Sequence, residues 1–156
     1  MISIVHEIKR HIGDTKLPVV SPSDIAEAER RLGFPLPELL RELYTSVGDG
    51  GFGPGYGFLG LIKPVPIGDF EGESVVQLYE LFRGGDPEDP TRTWPERVLP
   101  VLDWGCAIRS CADCSTSSLQ VLRDEPYVSR VPGSLSLEQR LRDWMAGRDL
   151  WKIGAQ

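Results

Sequence analysis

The sequence has no apolar run that approaches the roughly 20 residues needed to cross a bilayer. Its first segment carries charges at Glu7, Lys9 and Arg10, and so lacks the continuous apolar core of a secretory signal peptide. These absences predict a cytoplasmic protein that has no membrane partner.

Basic residues are fewer than acidic ones, with 17 Lys and Arg against 23 Asp and Glu and a formal net charge of −6. The excess is largest between residues 58 and 100, where eight acidic residues accompany four basic ones. Binding to phosphates needs a basic face, so the composition argues against nucleic acid as a direct partner. An acidic middle segment suits a basic protein partner, although a mild acidic surplus also serves solubility alone.

Cysteine and histidine are scarce, with three of the former and two of the latter. Cys106, Cys111 and Cys114 read C-x4-C-x2-C, and the last pair has the spacing of half a zinc knuckle or of a redox pair. A structural zinc ion needs four ligands, and His6 and His11 lie far away on the first predicted helix. We interpret the cysteines as small residues of a strand pair in a reducing compartment and expect no cofactor. A small zinc or redox module at these thiols is the alternative.

Groups suited to catalysis are also sparse. His6 and His11 share a predicted helix but not a face, and neither has an obvious nucleophile beside it. Asp86 and Asp89 lie in a proline-rich loop, which offers none of the burial that raises the pKa of a general acid. The sequence therefore predicts a protein that is not an enzyme.

What the sequence has in abundance is glycine, concentrated in the segment DGGFGPGYG from Asp49 to Gly57. A phosphate-binding loop and a dinucleotide-binding fingerprint both follow a strand and open a helix. A phosphate-binding loop also continues with Lys-Ser/Thr. Here a helical pattern precedes the glycines and the strand-like Phe58 and Leu59 follow them. The segment predicts a structural corner whose backbone adopts positive φ values.

Periodicity and capping signals predict the remaining elements. The predicted helices are Met1–Ile12, a second from the cap Ser21 to Gly33, a third over Leu36–Val47, and a last one that follows a capping box at Ser136 and Gln139. The predicted strands are Phe58–Ile67, Val98–Asp103, Cys106–Ser110, Ser118–Arg123 and Tyr127–Val131. Val75–Arg83 fits a helix or a strand, and Gly84–Trp94 reads as a surface loop. Pro64 and Pro66 favour an edge position for the first strand.

This order predicts a single domain over residues 1–156 with an α+β fold. N-terminal helices and a C-terminal helix would pack on a mainly antiparallel β-sheet, and the short central strands would form a meander.

Two segments resemble the SUKH superfamily, which includes fungal cell-wall assembly regulators and many bacterial immunity proteins. From Ile25 to Leu61 the chain has the superfamily's order of parts: an amphipathic helix, Leu32–Gly33, the helix-opening Leu36–Pro37 and a turn at Asp49–Gly50–Gly51. Asp49 departs from the frequent Asn. The stretch WGCAIRSCADC, from Trp104 to Cys114, resembles a segment common in bacterial members, and the likeness covers roughly residues 21–122.

The resemblance implies a compact α+β protein that binds other proteins without chemistry. Bacterial members are similar to antidotes that neutralise a cognate toxin domain, so we expect a toxin partner and a monomer or weak homodimer. A regulatory scaffold or adaptor of the same fold is the alternative. No interface residue transfers by position, so we choose exposed loop aromatics and acids as candidate contacts. These are Asp69, Phe70, Glu71, Glu73, Asp86, Glu88, Asp89 and Trp94.

Overall fold

The structure is a computed structural model that describes residues 2–66, 69–125 and 128–150, with the backbone alone in residues 125 and 128–134. Its helices are α1 (Ile4–Ile12), α2 (Pro22–Leu32), α3 (Glu38–Glu42), α4 (Val75–Arg83) and α5 (Leu137–Met145). Its strands are β1 (Gly57–Phe58), β2 (Val98–Gly105), β3 (Ile108–Asp113), β4 (Gln120–Glu125) and β5 (Val128–Ser136).

Local signals in the sequence set the ends of the helices. The Ser21 hydroxyl accepts the backbone N–H of Asp24, Pro22 occupies the first turn, and Gly33 ends α2 in the left-handed conformation. Ser136 caps α5 by the same kind of bond. The predicted helix starts at these caps are therefore confirmed. The third predicted helix begins only after Pro37 and continues from α3 into a π-helical turn over Leu43–Val47.

The five strands form one antiparallel sheet in the order β1-β2-β3-β4-β5, which confirms the predicted meander and the α+β class. Helix α4 packs against β2 and α5 against β5, while α2 and α1 pack on α4 and α5 respectively. The segment Val75–Arg83, which the sequence left open, is a helix because Val75, Val76, Leu78 and Tyr79 bury one face against this core.

Two predicted strands are wrong in extent. Of the segment predicted from Phe58 to Ile67, only Phe58 belongs to β1, which pairs with β2 at the edge of the sheet. Beyond Leu59 the backbone takes other partners, because Gly60 forms an isolated bridge with Ser74 and the N–H of Leu61 donates to Asp49 at 2.8 Å. Ile67 lies outside the described residues. Strand β3 begins at Ile108 rather than Cys106, because the two preceding residues form the hairpin turn.

The remaining strand predictions hold with shifted ends. Strand β4 starts at Gln120 instead of Ser118. Strand β5 runs from Val128 to Ser136, and Tyr127, where we expected it to begin, lies outside the described residues.

The glycine-rich segment is the predicted corner between the π-helical turn and β1, and five of its glycines have positive φ. A Cβ atom at Gly50 would lie 2.8 Å from the carbonyl oxygen of Phe58, so only glycine allows the chain to fold back this closely. The buried Tyr44 hydroxyl donates to the carbonyl oxygen of Leu59 at 2.7 Å, and Asp49 accepts the N–H of Leu61 at 2.8 Å. These bonds fix the corner and with it the position of the residues that follow.

Candidate protein-binding surface

A groove of about 350 Å³ opens where the glycine-rich corner meets the β2–β3 hairpin. It is lined by Tyr56, Phe70, Glu73, Asp103, Gly105, Cys106, Ala107 and Arg109, and we call it the aromatic-acidic groove. Tyr56 and Phe70 are each 58 % exposed, although large aromatic side chains are usually buried. The groove therefore presents two aromatic side chains to solvent beside two carboxylates.

The hairpin that forms one wall has an unusual backbone. Cys106 and Ala107 have φ values of 52° and 61°, the left-handed region that a two-residue mirror-image turn requires. Asn and Gly usually occupy such turns, and other residues cost about 1–2 kcal/mol each there. The indole N–H of Trp104 donates to the Ser110 hydroxyl at 2.8 Å and braces the hairpin below its tip. Strained but fixed backbone of this kind concentrates at functional sites.

Tyr56 is held in place from two sides. Its backbone N–H donates to the carbonyl oxygen of Asp103 at 2.9 Å. Its ring lies against Gly105 so closely that a Cβ atom at that position would stand 2.7 Å from Cε2. The aromatic side chain is thus exposed yet positioned by the corner and the hairpin.

A second groove, of about 290 Å³, lies between α4 and the loop that follows it, and we call it the loop groove. Its lining is Leu81, Phe82, Gly85, Asp86, Pro87, Arg92, Thr93, Trp94 and Asp124. Side-chain-to-backbone bonds shape the loop: Asp86 accepts the N–H of Glu88 at 2.9 Å, and Asp89 accepts the N–H of Thr91 at 3.1 Å. Leu81 is 65 % exposed at its edge.

Arg109 joins the two grooves. Its guanidinium lies 5.5 Å from the ring centre of Phe82, a wall of the loop groove, and its Nη2 donates to Glu73 of the aromatic-acidic groove at 2.7 Å. In the sheet, Arg109 pairs with Asp124, another wall of the loop groove. The two grooves therefore lie next to each other, on either side of the Arg109 side chain.

The sequence-predicted contacts fall on this surface in two groups. Phe70 and Glu73 line the aromatic-acidic groove, with Asp69 and Glu71 beside Phe70 in the chain. Asp86 and Trp94 line the loop groove, and Glu88 and Asp89 lie in its loop. The sequence did not reveal that these two groups would meet.

The expectation that Trp94 is an exposed anchor is wrong. Its side chain is 7 % exposed, its indole N–H donates to the carbonyl oxygen of Val98 at 2.8 Å, and its ring packs 4.6 Å from that of Phe82. A large aromatic ring in a loop gains more from burial than from exposure when its N–H finds a partner.

Two exposed residues of the grooves, Tyr56 and Leu81, were not predicted from the sequence. For Tyr56 the available signal was an aromatic residue inside a glycine-rich turn.

The three cysteines form no disulfide and lie in three different environments. Cys106 is exposed at the hairpin tip, Cys111 is buried in β3, and Cys114 is half-buried just beyond that strand. Burial raises the pKa of the Cys114 thiol to about 12, and the neighbouring Asp113 adds to the rise. A redox pair needs a thiolate of lowered pKa, so this environment disfavours the redox alternative. Within the described residues, no group of three or more His, Cys, Asp or Glu side chains could hold a metal ion.

A larger groove, of about 550 Å³, lies elsewhere, between the ends of α2 and α4. Its polar lining is largely committed to contacts within the chain. Arg31 pairs with Glu80, and Arg83 pairs with Glu96 at 3.6 Å. Arg97 lies over the ring of Phe34 at 5.7 Å. Size alone therefore does not make this groove the better candidate.

The antiparallel meander with its packed helices and its grooved face defines an α+β protein. The family model for SMI1/KNR4 (SUKH-1) matches residues 19–129, which is most of the chain. The chain belongs to the SMI1/KNR4 family, as its resemblance to the SUKH superfamily predicted. The matched range includes both grooves. A comparison with curated proteins gave no match. No helix among the described residues is long and apolar enough to cross a membrane.

Proposed function

We propose that this protein is a non-catalytic binding protein that recognises a cognate toxin domain and neutralises it. Membership of the SUKH-1 family supports a role of this kind, since members of the family are generally non-catalytic. The observation that carries the proposal is the pair of joined grooves, where exposed Phe70 and Leu81 lie among acidic residues. Exposed apolar anchors within a polar surround are typical of protein interfaces.

The charge of this surface favours a basic partner. The grooves are lined by four acidic residues, Glu73, Asp103, Asp86 and Asp124, and by two basic ones, Arg109 and Arg92. Four more acidic residues are close to groove residues in the chain: Asp69 and Glu71 flank Phe70, and Glu88 and Asp89 follow Pro87. Complementary charge speeds encounter and selects partners more than it adds affinity. A cytoplasmic location and a monomeric or weakly dimeric state stay predictions from the sequence.

The test is co-expression with any toxin candidate that a neighbouring gene encodes, scored by cell survival and by a complex on a sizing column. Phe70→Ala and Leu81→Ala remove one anchor from each groove. Each is expected to weaken the complex about 30-fold, because truncating an interface anchor costs about 2 kcal/mol. Val19→Ala is the matched control, since Val19 is 52 % exposed and lines neither groove.

Three outcomes separate the hypotheses. Survival and a complex that both variants weaken would support the proposal. A complex without protection of the cell would favour the scaffold or adaptor function. Cell death without any complex would refute the proposal for this pair of proteins.

A further inference from the structure

The aromatic-acidic groove has the chemistry of a site for a cation. An aromatic ring presents a negative face, and a Lys or Arg side chain near such a face gains about 0.5–2 kcal/mol, more as water is removed. Tyr56 and Phe70 line this groove, and each is more than half exposed to solvent. Carboxylates of Glu73 and Asp103 line the same space.

The charges in the groove leave a negative balance. Arg109 is the basic residue of the lining, its side chain is only 12 % exposed, and it is held by Glu73 at 2.7 Å. Asp103 is oriented by the N–H of Gly105, which donates to its Oδ1 at 2.8 Å. Within the part of the chain that the structure describes, no group bonds its second carboxylate oxygen. Asp69 and Glu71, which do not line the groove, are exposed acidic neighbours of Phe70 in the chain.

The Tyr56 and hairpin walls of the groove are positioned before any ligand enters. Tyr56 is fixed by its backbone bond to Asp103 and by its ring contact with Gly105. The left-handed turn at Cys106 and Ala107 closes one end. A site that is already organised loses less entropy on binding, which favours recognition of a single side chain.

We propose that this groove binds one lysine or arginine side chain of the protein partner, between the rings of Tyr56 and Phe70 and against the carboxylate of Asp103. The inference rests on the proposed function, because it assigns the chemistry of the partner's anchor. A neutral apolar anchor would gain from the rings but would leave the carboxylate of Asp103 without a counter-charge, since Glu73 is already paired with Arg109.

The first experiment measures the affinity of the toxin complex for variants that each remove one ring or one charge from the groove. Tyr56→Leu and Phe70→Leu keep an apolar side chain but remove the ring. Asp103→Asn keeps an oxygen for the N–H of Gly105 but removes the charge. Each is expected to weaken binding about 10-fold, with the loss for Asp103→Asn shrinking as salt is raised. Asp14→Asn, an exposed carboxylate that lines neither groove, is the charge control.

The second experiment needs no toxin. Nα-acetyl-arginine amide is titrated into the labelled protein, with Nα-acetyl-norleucine amide as the uncharged control, and backbone amide shifts are followed by NMR. Saturable shifts at Tyr56, Gly105 and Cys106 with the arginine probe alone would support the inference. Tyr56→Leu should abolish them while leaving the circular dichroism spectrum unchanged.

The outcomes distinguish the two proposals. Variants that bind the toxin as tightly as the native protein would overturn the groove inference and leave the proposed function intact. If the native protein forms no toxin complex, the proposed function fails, and the titration alone decides the groove. Equal shifts with both probes, or none with either, would overturn the inference.

Discussion

Asp49 carries one of the bonds that hold the glycine-rich corner, and replacing it separates the role of its oxygen from the role of its charge. Its Oδ1 accepts the N–H of Leu61, a residue that is 1 % exposed. Burial raises the pKa of the Asp49 carboxyl, the bond from Leu61 opposes the rise, and the charge of Asp24 adds to it. The ionised form is therefore disfavoured in the folded protein even though its oxygen is needed.

Two substitutions divide these effects. Asp49→Ala leaves a buried N–H without this acceptor, so the free energy of unfolding should fall by about 1–3 kcal/mol. In a protein of this size each kcal/mol lowers Tm by roughly 2–4 °C. Asp49→Asn retains a side-chain oxygen and removes the buried charge. It should therefore be as stable as the native protein or more stable at neutral pH.

The direction of the pKa shift of Asp49 determines how its contribution to stability changes with pH. Because the folded pKa of Asp49 is raised, its stabilising contribution is complete below the ordinary carboxyl pKa and is lost as pH rises through the folded pKa. The advantage of Asp49→Asn should grow over that interval and then level off. Urea unfolding followed by tryptophan fluorescence between pH 4 and pH 7 measures this difference. Asn and Ala variants of equal, reduced stability would refute the reasoning, since the charge rather than the oxygen would then matter.

Three further predictions concern the corner, the thiols and the loop. Gly50→Ala should lower the free energy of unfolding more than Gly51→Ala. Both positions have a φ of 80°. A Cβ atom at Gly50 would lie 2.8 Å from backbone atoms, whereas one at Gly51 would meet side chains at 3.7 Å. Paired urea unfolding curves of the two variants measure the difference. In the folded protein a maleimide should modify Cys106 well before Cys114, which is half-buried with a pKa of about 12; equal rates by mass spectrometry would contradict this. Trp94→Leu should cost about 2 kcal/mol or more in unfolding, because it removes a buried ring and its bond to the chain; an unchanged Tm would restore the exposed-anchor interpretation.

The candidate surface shows how far sequence patterns reach. Acidic and aromatic loop residues predicted Phe70 and Glu73 as contacts, and the structure places both on one groove. The same rule misplaced Trp94, because loop position says nothing about whether a ring can fold back onto the core. Leu81 lies on a helix and was overlooked, since its exposure depends on which face α4 buries.

The sequence by itself determined the features that depend on near neighbours along the chain. Ser21, Pro22 and Gly33 mark the ends of α2 because capping and positive φ act within a few residues. The glycine-rich segment likewise indicated a corner and, with the motifs around it, the family. Only the tertiary structure decided that Val75–Arg83 is a helix, that β1 stops at Phe58, and that Arg109 joins two grooves. Those outcomes depend on burial and on hydrogen-bond partners distant in sequence, which local patterns do not contain.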